Sequence, residues 1–318
     1  MDKPKVVAVV GTNASGKSAL GVRLAKTFDG EIISADSRQV FRGLDLGSGK
    51  ITPEEMQGVD HYLIDVLDPE DEFHVVRFQE MAKAALKEIY AKGQIPIVAG
   101  GTGFYIQALL YDIDFTEQQC DETYRRQLED LAREHGAEYL HGILREVDPA
   151  SAEAIHANNI KRVIRALEFY HLSGKKISEH NETERQKQSP YNFAYFVLTD
   201  ERAKLYERID RRVDAMIEAG LVEEVKKLKS LGCSREMVSM QGLGYKEILA
   251  YLDGGCTLEE AVYIIKRETR HFAKRQLTWF KRERDVIWLD KQAFGYDDAA
   301  ILTDMISILE EKEIISHE

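Results

Sequence analysis

The sequence is poor in cysteine and has no long apolar run. Its 318 residues include three cysteines, and no two of them form a C-x-x-C pair. That distribution argues against a zinc site or a disulfide framework and indicates a reducing compartment. No apolar run approaches the roughly 20 residues that a membrane-spanning helix needs, and the N-terminal stretch MDKPKVVAVVGT has no cleavable-signal pattern. We therefore expect a cytoplasmic protein without a membrane partner.

The chain also lacks net positive charge, which at first argues against a nucleic-acid partner. Its formal net charge is −12 at pH 7. The charge is unevenly distributed, however, because residues 266–284 (KRETRHFAKRQLTWFKRER) hold eight basic and two acidic residues. A concentrated basic stripe binds a polyanion, or it forms a solvated helix face with ion pairs along it. Composition alone leaves both interpretations open.

Apolar runs in the first hundred residues alternate with helical patterns. KVVAVV, EIISAD, HYLIDVLD and IPIVAGG read as strands, and nearly continuous apolar runs are typical of parallel strands that are buried on both faces. Short strands separated by helices predict a parallel sheet with crossover helices. Ligands of such sheets gather at the carboxyl ends of the strands, where Gly11, Asp36 and Gly100 fall.

The pattern changes near residue 116, after which apolar residues recur only at helical spacing until the strand candidate NFAYFVLTD. We expect a helical insertion here, with the polar stretch SEHNETERQKQSP as the linker that leaves it. The chain then divides into a core segment at residues 1–117, a helical insertion at 118–190, and a core continuation at 191–318. The last segment contains the strand candidate DVIWLD and C-terminal helices.

The motif GTNASGKS lies between an apolar run and a helical pattern, which is the setting of a phosphate-binding loop. Its residues are Gly11, Thr12, Asn13, Ala14, Ser15, Gly16, Lys17 and Ser18. The glycines allow successive N–H groups to point into one concavity. Lys17 adds a positive charge for phosphate oxygens, and Ser18 offers a hydroxyl to Mg²⁺. The motif predicts a bound diphosphate but does not specify a reaction.

Three further features have both a chemical and a structural interpretation. Asp36, just after a strand, is a candidate general base or a residue that stabilises a turn. Asp65 follows another apolar run and would lie near Mg²⁺ in a nucleotide-using enzyme, or simply end the strand. Arg208 and Arg212 share a helix face at i,i+4 spacing, and each either reaches a diphosphate or pairs with neighbouring acidic residues.

Two glycine-containing turns complete the set of motifs. AGGTGFYIQALL predicts a tight strand-to-helix turn that lets a substrate approach the backbone. SMQGLGYKEI carries two glycines, an aromatic residue and a lysine before a helix, and it predicts a turn whose backbone contacts nucleic acid. Plain turn and helix-start chemistry explains each of them equally well.

Taken together, the motifs resemble those of one enzyme family. The motifs GTNASGKSAL, IISADSRQVFRGLDLGSGK, HYLIDVLDPED, PIVAGGTGFYIQALL, NNIKRVIRALEFY, RIDRRVDAMIEAGLVEEV, MQGLGYKEI and RHFAKRQLTWF occur in this order in bacterial tRNA dimethylallyltransferases, which this sequence resembles from about Val6 to Asp290. The resemblance implies a core like that of the P-loop nucleoside triphosphate hydrolases, with a helical insertion that binds tRNA. It also implies transfer of a dimethylallyl group from its diphosphate to the N6 amine of the adenosine at tRNA position 37, 3′ to the anticodon. The substrates would be tRNAs that read codons beginning with U.

The same resemblance implies roles for individual residues. Asp36 would be the general base, assisted by Thr12 and Arg212 as catalytic residues. Arg212 would also hold the diphosphate with residues 11–18, and Mg²⁺ would bind at Ser18. The positions that would contact the tRNA anticodon stem-loop are Asp36, Ser37, Arg38, Gln39, Thr102, Arg125, Lys161, Arg162, Val163, Ile164, Arg165, Gln241, Gly242, Leu243, Gly244, Tyr245 and Lys246. We expect the protein to act as a monomer.

Three other functions remain to be tested. An adenylate dimethylallyltransferase would use free AMP or ATP as acceptor, but it would need neither a helical insertion nor a basic stripe. A small-molecule kinase would use Asp36 as the base for a hydroxyl acceptor and Asp65 near Mg²⁺. A non-catalytic nucleotide-binding module would leave Asp36 without a purpose opposite an intact phosphate loop.

Overall fold

A computed structural model of the chain describes residues 3–115 and 121–316, and these ranges contain six β-strands. The strands are β1 (Lys5–Gly11), β2 (Glu31–Ala35), β3 (His61–Tyr62), β4 (Pro96–Gly100), β5 (Asn192–Thr199) and β6 (Val286–Asp290). They form one sheet in the order β3-β2-β4-β1-β5-β6, and every neighbouring pair is parallel. The predicted α/β fold with a parallel sheet is confirmed.

The helices follow the strands in the crossover pattern that a parallel sheet requires. They are α1 (Lys17–Thr27), α2 (Pro53–Met56), α3 (Val75–Ala91), α4 (Gly103–Leu110), α5 (Glu122–His135), α6 (Ala137–Val147), α7 (Pro149–Ala154), α8 (Ile160–Ser173), α9 (Ile177–Gln186), α10 (Arg202–Glu218), α11 (Leu221–Ser230), α12 (Tyr245–Leu252), α13 (Leu258–Phe280) and α14 (Asp298–Glu311). The basic stripe lies on α13, which begins with a capping box between Thr257 and Glu260. No helix within the described ranges combines the length and the apolar character that crossing a bilayer requires.

Two local predictions were wrong. The run HYLIDVLD pairs as a strand only over His61–Tyr62, because Leu63 (φ 63°) and Asp65 (φ 54°) adopt left-handed backbone that ends the strand. The polar stretch expected to be a linker instead forms α9. Its start is held by the buried Asp148, whose side chain accepts a hydrogen bond from Ser178 N at 3.0 Å. Polar composition therefore did not prevent helix formation.

The chain divides into two compact units. The first unit comprises Met1–Leu110 with Pro190–Glu318 and contains the whole sheet, and the second comprises Tyr111–Ser189. In the first unit, α1 and α14 share one hydrophobic cluster with β1, β2, β4, β5 and β6. The second unit contains only helices among its described residues, and α5, α6 and α8 surround its own core. The predicted boundary between residues 117 and 118 lies outside the described residues.

The parallel order brings the ends of several strands to one edge of the sheet. β1 lies between β4 and β5. The chain leaves β1 towards β2 on one side, and after β4 it crosses to β5 on the other side of β1. Such a switch point creates a crevice outside the carboxyl ends of the strands. The phosphate-loop motif follows β1, Asp36 follows β2, and Gly101 follows β4 at this edge.

Candidate active site

The phosphate loop, residues 11–18, joins β1 to α1 through left-handed backbone. Gly16 has φ 92° and Ala14 has φ 63°. Glycine adopts this region readily, whereas alanine does so only where its surroundings hold it there. Helix α1 begins at Lys17, as predicted, and the Lys17 ammonium donates a hydrogen bond to the Thr12 carbonyl oxygen at 3.2 Å. The lysine thus lies back over the loop.

A cavity unites this loop with Asp36 and Arg212, which are distant in the sequence. Its polar lining includes Asn13, Lys17, Ser18, Asp36, Gln39, Ser48, Arg212 and Thr269. Its apolar lining includes Ile209, Val213, Met216, Leu243 and Ile265. The polar part therefore combines cations, hydroxyls and a carboxylate. These groups suit an anionic leaving group and a nucleophile that must lose a proton.

The surroundings of the cavity lower the pKa values of its two cations, Lys17 and Arg212. Burial lowers the pKa of Lys17 to about 8, while Asp36 acts to raise it and Arg212 to lower it. Partial enclosure also lowers the pKa of Arg212, although this residue stays exposed to solvent. Outside the lining, Arg38 has a pKa lowered by burial and donates a hydrogen bond to the Val238 carbonyl. Positive charge is therefore confined beside Asp36, and an anion entering the cavity would stabilise it.

The Asp36 carboxylate has both of the features that the sequence left open. Its Oδ1 accepts hydrogen bonds from Arg38 N at 2.8 Å and from Gln39 N at 3.3 Å, so it stabilises the turn after β2. The same side chain lines the cavity together with Lys17 and Ser18. The turn fixes the carboxylate, and the cavity gives it access to a ligand.

A second loop, residues 44–50, forms another wall of the cavity through Gly47, Ser48 and Gly49. The Glu224 carboxylate accepts hydrogen bonds from Leu46 N at 2.8 Å and from the Tyr245 hydroxyl at 2.8 Å. The Tyr245 hydroxyl in turn accepts one from Ser48 N at 3.1 Å. Sequence reasoning assigned no role to this loop or to Glu224, although LDLGSGK and GLVEEV belong to motifs that carry the resemblance. It predicted Tyr245 as a tRNA contact and not as a support of the loop.

Arg212 reaches the cavity because Gly49 leaves room for it. Its Nη2 donates a hydrogen bond to the Gly49 carbonyl oxygen at 3.0 Å. A Cβ atom on Gly49 would lie 2.0 Å from that nitrogen, and the backbone there has φ 59°. Glycine is therefore required on both steric and conformational grounds. Asp65, in contrast, forms an ion pair with Lys50 and is not part of the cavity lining.

The remaining predicted residues of the first unit lie in several environments. Thr12 is buried, with 2% exposure, whereas Ser37 and Thr102 are half-buried. In the segment 241–246, Gly242, Gly244 and Tyr245 are buried, Leu243 is half-buried, and Gln241 and Lys246 are exposed. Leu243 and Gly244 line the cavity. The predicted tRNA contacts of this group stay predictions.

The predicted tRNA residues of the second unit are arranged around one buried carboxylate. Arg125 and Arg165 form ion pairs with Glu168 at 2.7 and 3.4 Å. Val163 and Ile164 pack in the hydrophobic core of that unit, whereas Lys161 and Arg162 are exposed. Within the predicted segment, the basic residues are thus the ones whose side chains reach solvent.

Comparisons with known proteins place this chain among the enzymes of one family. The family model described as IPP transferase matches residues 39–283. A curated tRNA dimethylallyltransferase from Lachnoclostridium phytofermentans is 61% identical over 310 residues, covering 98% of this chain and 99% of the relative. The crystal structure of the full-length tRNA isopentenylpyrophosphate transferase from Bacillus halodurans is 45% identical, covers 98% of both chains and has a TM-score of 0.73. A eukaryotic dimethylallyltransferase, described as acting on tRNA, has a TM-score of 0.82 at 29% identity, covering 99% of this chain and 81% of its own.

Proposed function

The chain belongs to the IPP transferase family, and on that premise we propose that it transfers a dimethylallyl group to the N6 amine of adenosine 37 in tRNA. It is a tRNA dimethylallyltransferase, a prenyltransferase that uses tRNA as substrate. The observation that best supports the detailed mechanism is that Lys17, Arg212 and Asp36 line the same cavity. The donor is dimethylallyl diphosphate, and the acceptors are tRNAs that read codons beginning with U.

The donor diphosphate would occupy the cationic part of the cavity. As the bond between the allylic carbon and the diphosphate oxygen breaks, the electron pair leaves with the diphosphate. Lys17, Arg212 and the backbone N–H groups of the phosphate loop stabilise that charge. The Ser18 hydroxyl, a hard oxygen ligand in the cavity lining, suits Mg²⁺ that binds mainly through phosphate oxygens. Mg²⁺ supplies further charge stabilisation when bound.

The acceptor amine is a weak nucleophile, because its lone pair is delocalised into the purine ring. Asp36 takes one of its protons as the new C–N bond forms. The turn that holds Asp36 also places Gln39 in the cavity lining, where it is available to contact the adenine. Thr12 is proposed as an assisting catalytic residue through its place beside Lys17. The adenosine reaches this depth only after it leaves the anticodon-loop stack, so we expect the base to be flipped.

The distribution of basic residues indicates how the chain would bind tRNA. The anticodon stem-loop is the proposed binding region, and the basic residues of α13 and of the second unit are the proposed phosphate contacts. We also propose that one monomer binds one tRNA in the cytoplasm.

A transfer assay with labelled dimethylallyl diphosphate and Mg²⁺ tests the function. Three acceptors are compared: unmodified tRNA that reads a U-initial codon, the same tRNA with guanosine at position 37, and free AMP. We expect label only in the first. Label in AMP alone would indicate an adenylate dimethylallyltransferase. No label in any acceptor, with ATP consumption in the presence of a small alcohol, would indicate a kinase.

A further inference from the structure

Two side chains from distant helices hold the first half of the phosphate loop. Gln276 lies on α13 and Arg208 on α10, and each forms a hydrogen bond with the loop backbone. Neither lines the cavity, so neither is placed to contact the donor directly. Their contacts act on the conformation of the loop.

Gln276 connects the phosphate loop to the turn after β4. Its Oε1 accepts a hydrogen bond from Asn13 N at 3.2 Å, and its Nε2 donates one to the Gly101 carbonyl oxygen at 2.9 Å. The side chain is only 5% exposed. Moving either backbone segment away would leave a buried amide group without a hydrogen bond, which costs free energy. This glutamine therefore holds the two segments at a fixed separation.

Arg208 holds the next peptide of the loop from the other side. Its Nε donates a hydrogen bond to the Ala14 carbonyl oxygen at 3.0 Å, and its Nη2 forms an ion pair with Asp200. The Asp200 side chain is 1% exposed, and its Oδ1 accepts a hydrogen bond from the Tyr296 hydroxyl at 3.0 Å. The guanidinium is thus fixed by a network behind the loop.

These contacts explain how an alanine keeps a left-handed conformation at this position. Ala14 has φ 63°, a region that costs a non-glycine residue about 1 kcal/mol or more. The hydrogen bonds to Asn13 N and Ala14 O flank that residue on both sides and oppose its relaxation. If Ala14 relaxed, the peptides that follow it would rotate, and their N–H groups would turn away from the concavity.

We infer that Gln276 and Arg208 are positioning residues that set the orientation of the phosphate loop for the donor diphosphate. The inference rests on the proposed function, because it assigns the diphosphate to this loop. The hydrogen bonds of Gln276 and Arg208 to the loop backbone thereby act on donor affinity, although neither side chain contacts the donor.

The test measures the binding of inorganic pyrophosphate, with Mg²⁺ and without tRNA, by calorimetry. Gln276→Met removes both hydrogen bonds at similar volume, and Arg208→Lys keeps the charge but loses the planar fork. We expect Gln276→Met to weaken pyrophosphate binding about tenfold, on the scale of the loss of one or two hydrogen bonds. KM for dimethylallyl diphosphate should rise similarly, with KM for tRNA changed less than about twofold.

Gln79→Met and Arg211→Lys are matched controls. Gln79 is also buried and donates to a backbone carbonyl, that of Ala108, at 2.8 Å. Arg211 lies on the same helix as Arg208 but is exposed and paired with Glu207. We expect Gln79→Met to lower the melting temperature as much as Gln276→Met does, while pyrophosphate affinity stays at the wild-type value. Arg211→Lys should change neither quantity.

Three outcomes decide the inference. Weaker pyrophosphate binding in Gln276→Met and Arg208→Lys, but not in the controls, supports it. Unchanged affinity in both variants, with only a lower melting temperature, would show that these residues are purely structural and overturn it. Absence of pyrophosphate binding in the wild-type protein would also overturn it. Because this assay requires no transfer, a wild-type protein that binds pyrophosphate but does not prenylate tRNA would refute only the proposed function.

Discussion

The cavity and the helical unit both place arginine or lysine beside a single carboxylate, but the most enclosed charge is a cation, Lys17, in the cavity and the carboxylate, Glu168, in the helical unit. In the cavity, Lys17 is the enclosed cation and burial lowers its pKa to about 8, whereas Arg212 stays exposed to solvent. In the second unit, Glu168 is completely buried, whereas the side chains of Arg125 and Arg165 are 40% and 30% exposed.

The difference separates a binding site from a scaffold. A confined cation is stabilised when an anion joins it, so the cavity gains most when a diphosphate binds. A buried carboxylate already has the arginines that it needs, and those arginines keep part of their surface available for phosphates of another molecule. The two regions should therefore respond differently when a charge is removed, one in ligand binding and the other in stability.

Asp36→Asn should produce the largest effect. The amide keeps an oxygen that accepts from Arg38 N and Gln39 N, but it no longer takes a proton. We expect the single-turnover rate of prenyl transfer to fall about 10²- to 10⁴-fold. Pyrophosphate affinity should not weaken, because the substitution removes a negative charge near the anion. Asp65→Asn, outside the cavity lining, is the control and should transfer normally. Near-normal transfer by Asp36→Asn would exclude Asp36 as the base.

Lys17→Ala should lower pyrophosphate affinity about 10- to 100-fold, the scale of one lost charged hydrogen bond. The variant removes a confined cation, so it acts on the ligand rather than on the fold. Calorimetric titration measures the loss. Lys26→Ala, on the same helix but exposed and bonded to Gln57, should bind normally. Equal affinity in the two variants would contradict the role assigned to the loop lysine.

Glu168→Gln should act on the other region and on stability. Loss of the buried carboxylate weakens its bonds to Arg125 and Arg165 and should destabilise the second unit by about 2 kcal/mol. Hydrogen exchange should become faster in α5 and α8 and remain unchanged in β1 and β4. Glu129→Gln, exposed on α5, is the control. A drop in pyrophosphate affinity without faster exchange would contradict the assignment of Glu168 to the scaffold.

Local patterns predicted the sheet and the phosphate loop because both depend on contiguous residues. The buried strands read as apolar runs, and the loop reads as one motif. The backbone after Tyr62 was not predictable, because an apolar run predicts a strand and gives no sign of the positive φ at Leu63. Helix α9 was also missed, because its start depends on a hydrogen bond from Ser178 to Asp148, thirty residues earlier.

The supports of the site were hidden for the same reason. Glu224 holds a loop 178 residues away, and Gln276 holds one 263 residues away. No periodicity or motif links such pairs, because the sheet topology alone brings them together. A single sequence therefore predicted which residues contact substrates, whereas the residues that support them became visible only through three-dimensional contacts.

The smallest expected effect is the protonation of Lys17 when pyrophosphate binds. Because the pKa of Lys17 is about 8, the free protein holds this lysine about half protonated at pH 8. A bound diphosphate favours the ammonium and raises that pKa, so binding at pH 8 should take up as much as about half a proton. Below about pH 7 the lysine is already charged and adds no pH dependence. As pH rises from 7 to 9, the cost of protonating it should weaken pyrophosphate binding by about tenfold or less.

Titration at pH 8 in two buffers of different ionisation enthalpy measures this proton uptake. Lys17→Arg is the control, because arginine stays charged over the whole range. Pyrophosphate's own protonation contributes to both proteins, so the difference between them isolates Lys17. Equal uptake in the two proteins would mean that Lys17 is fully charged before the ligand arrives. Lys17 would then be fully charged without a ligand, like the arginines of the second unit. The two regions would no longer differ in the charge state of their cations.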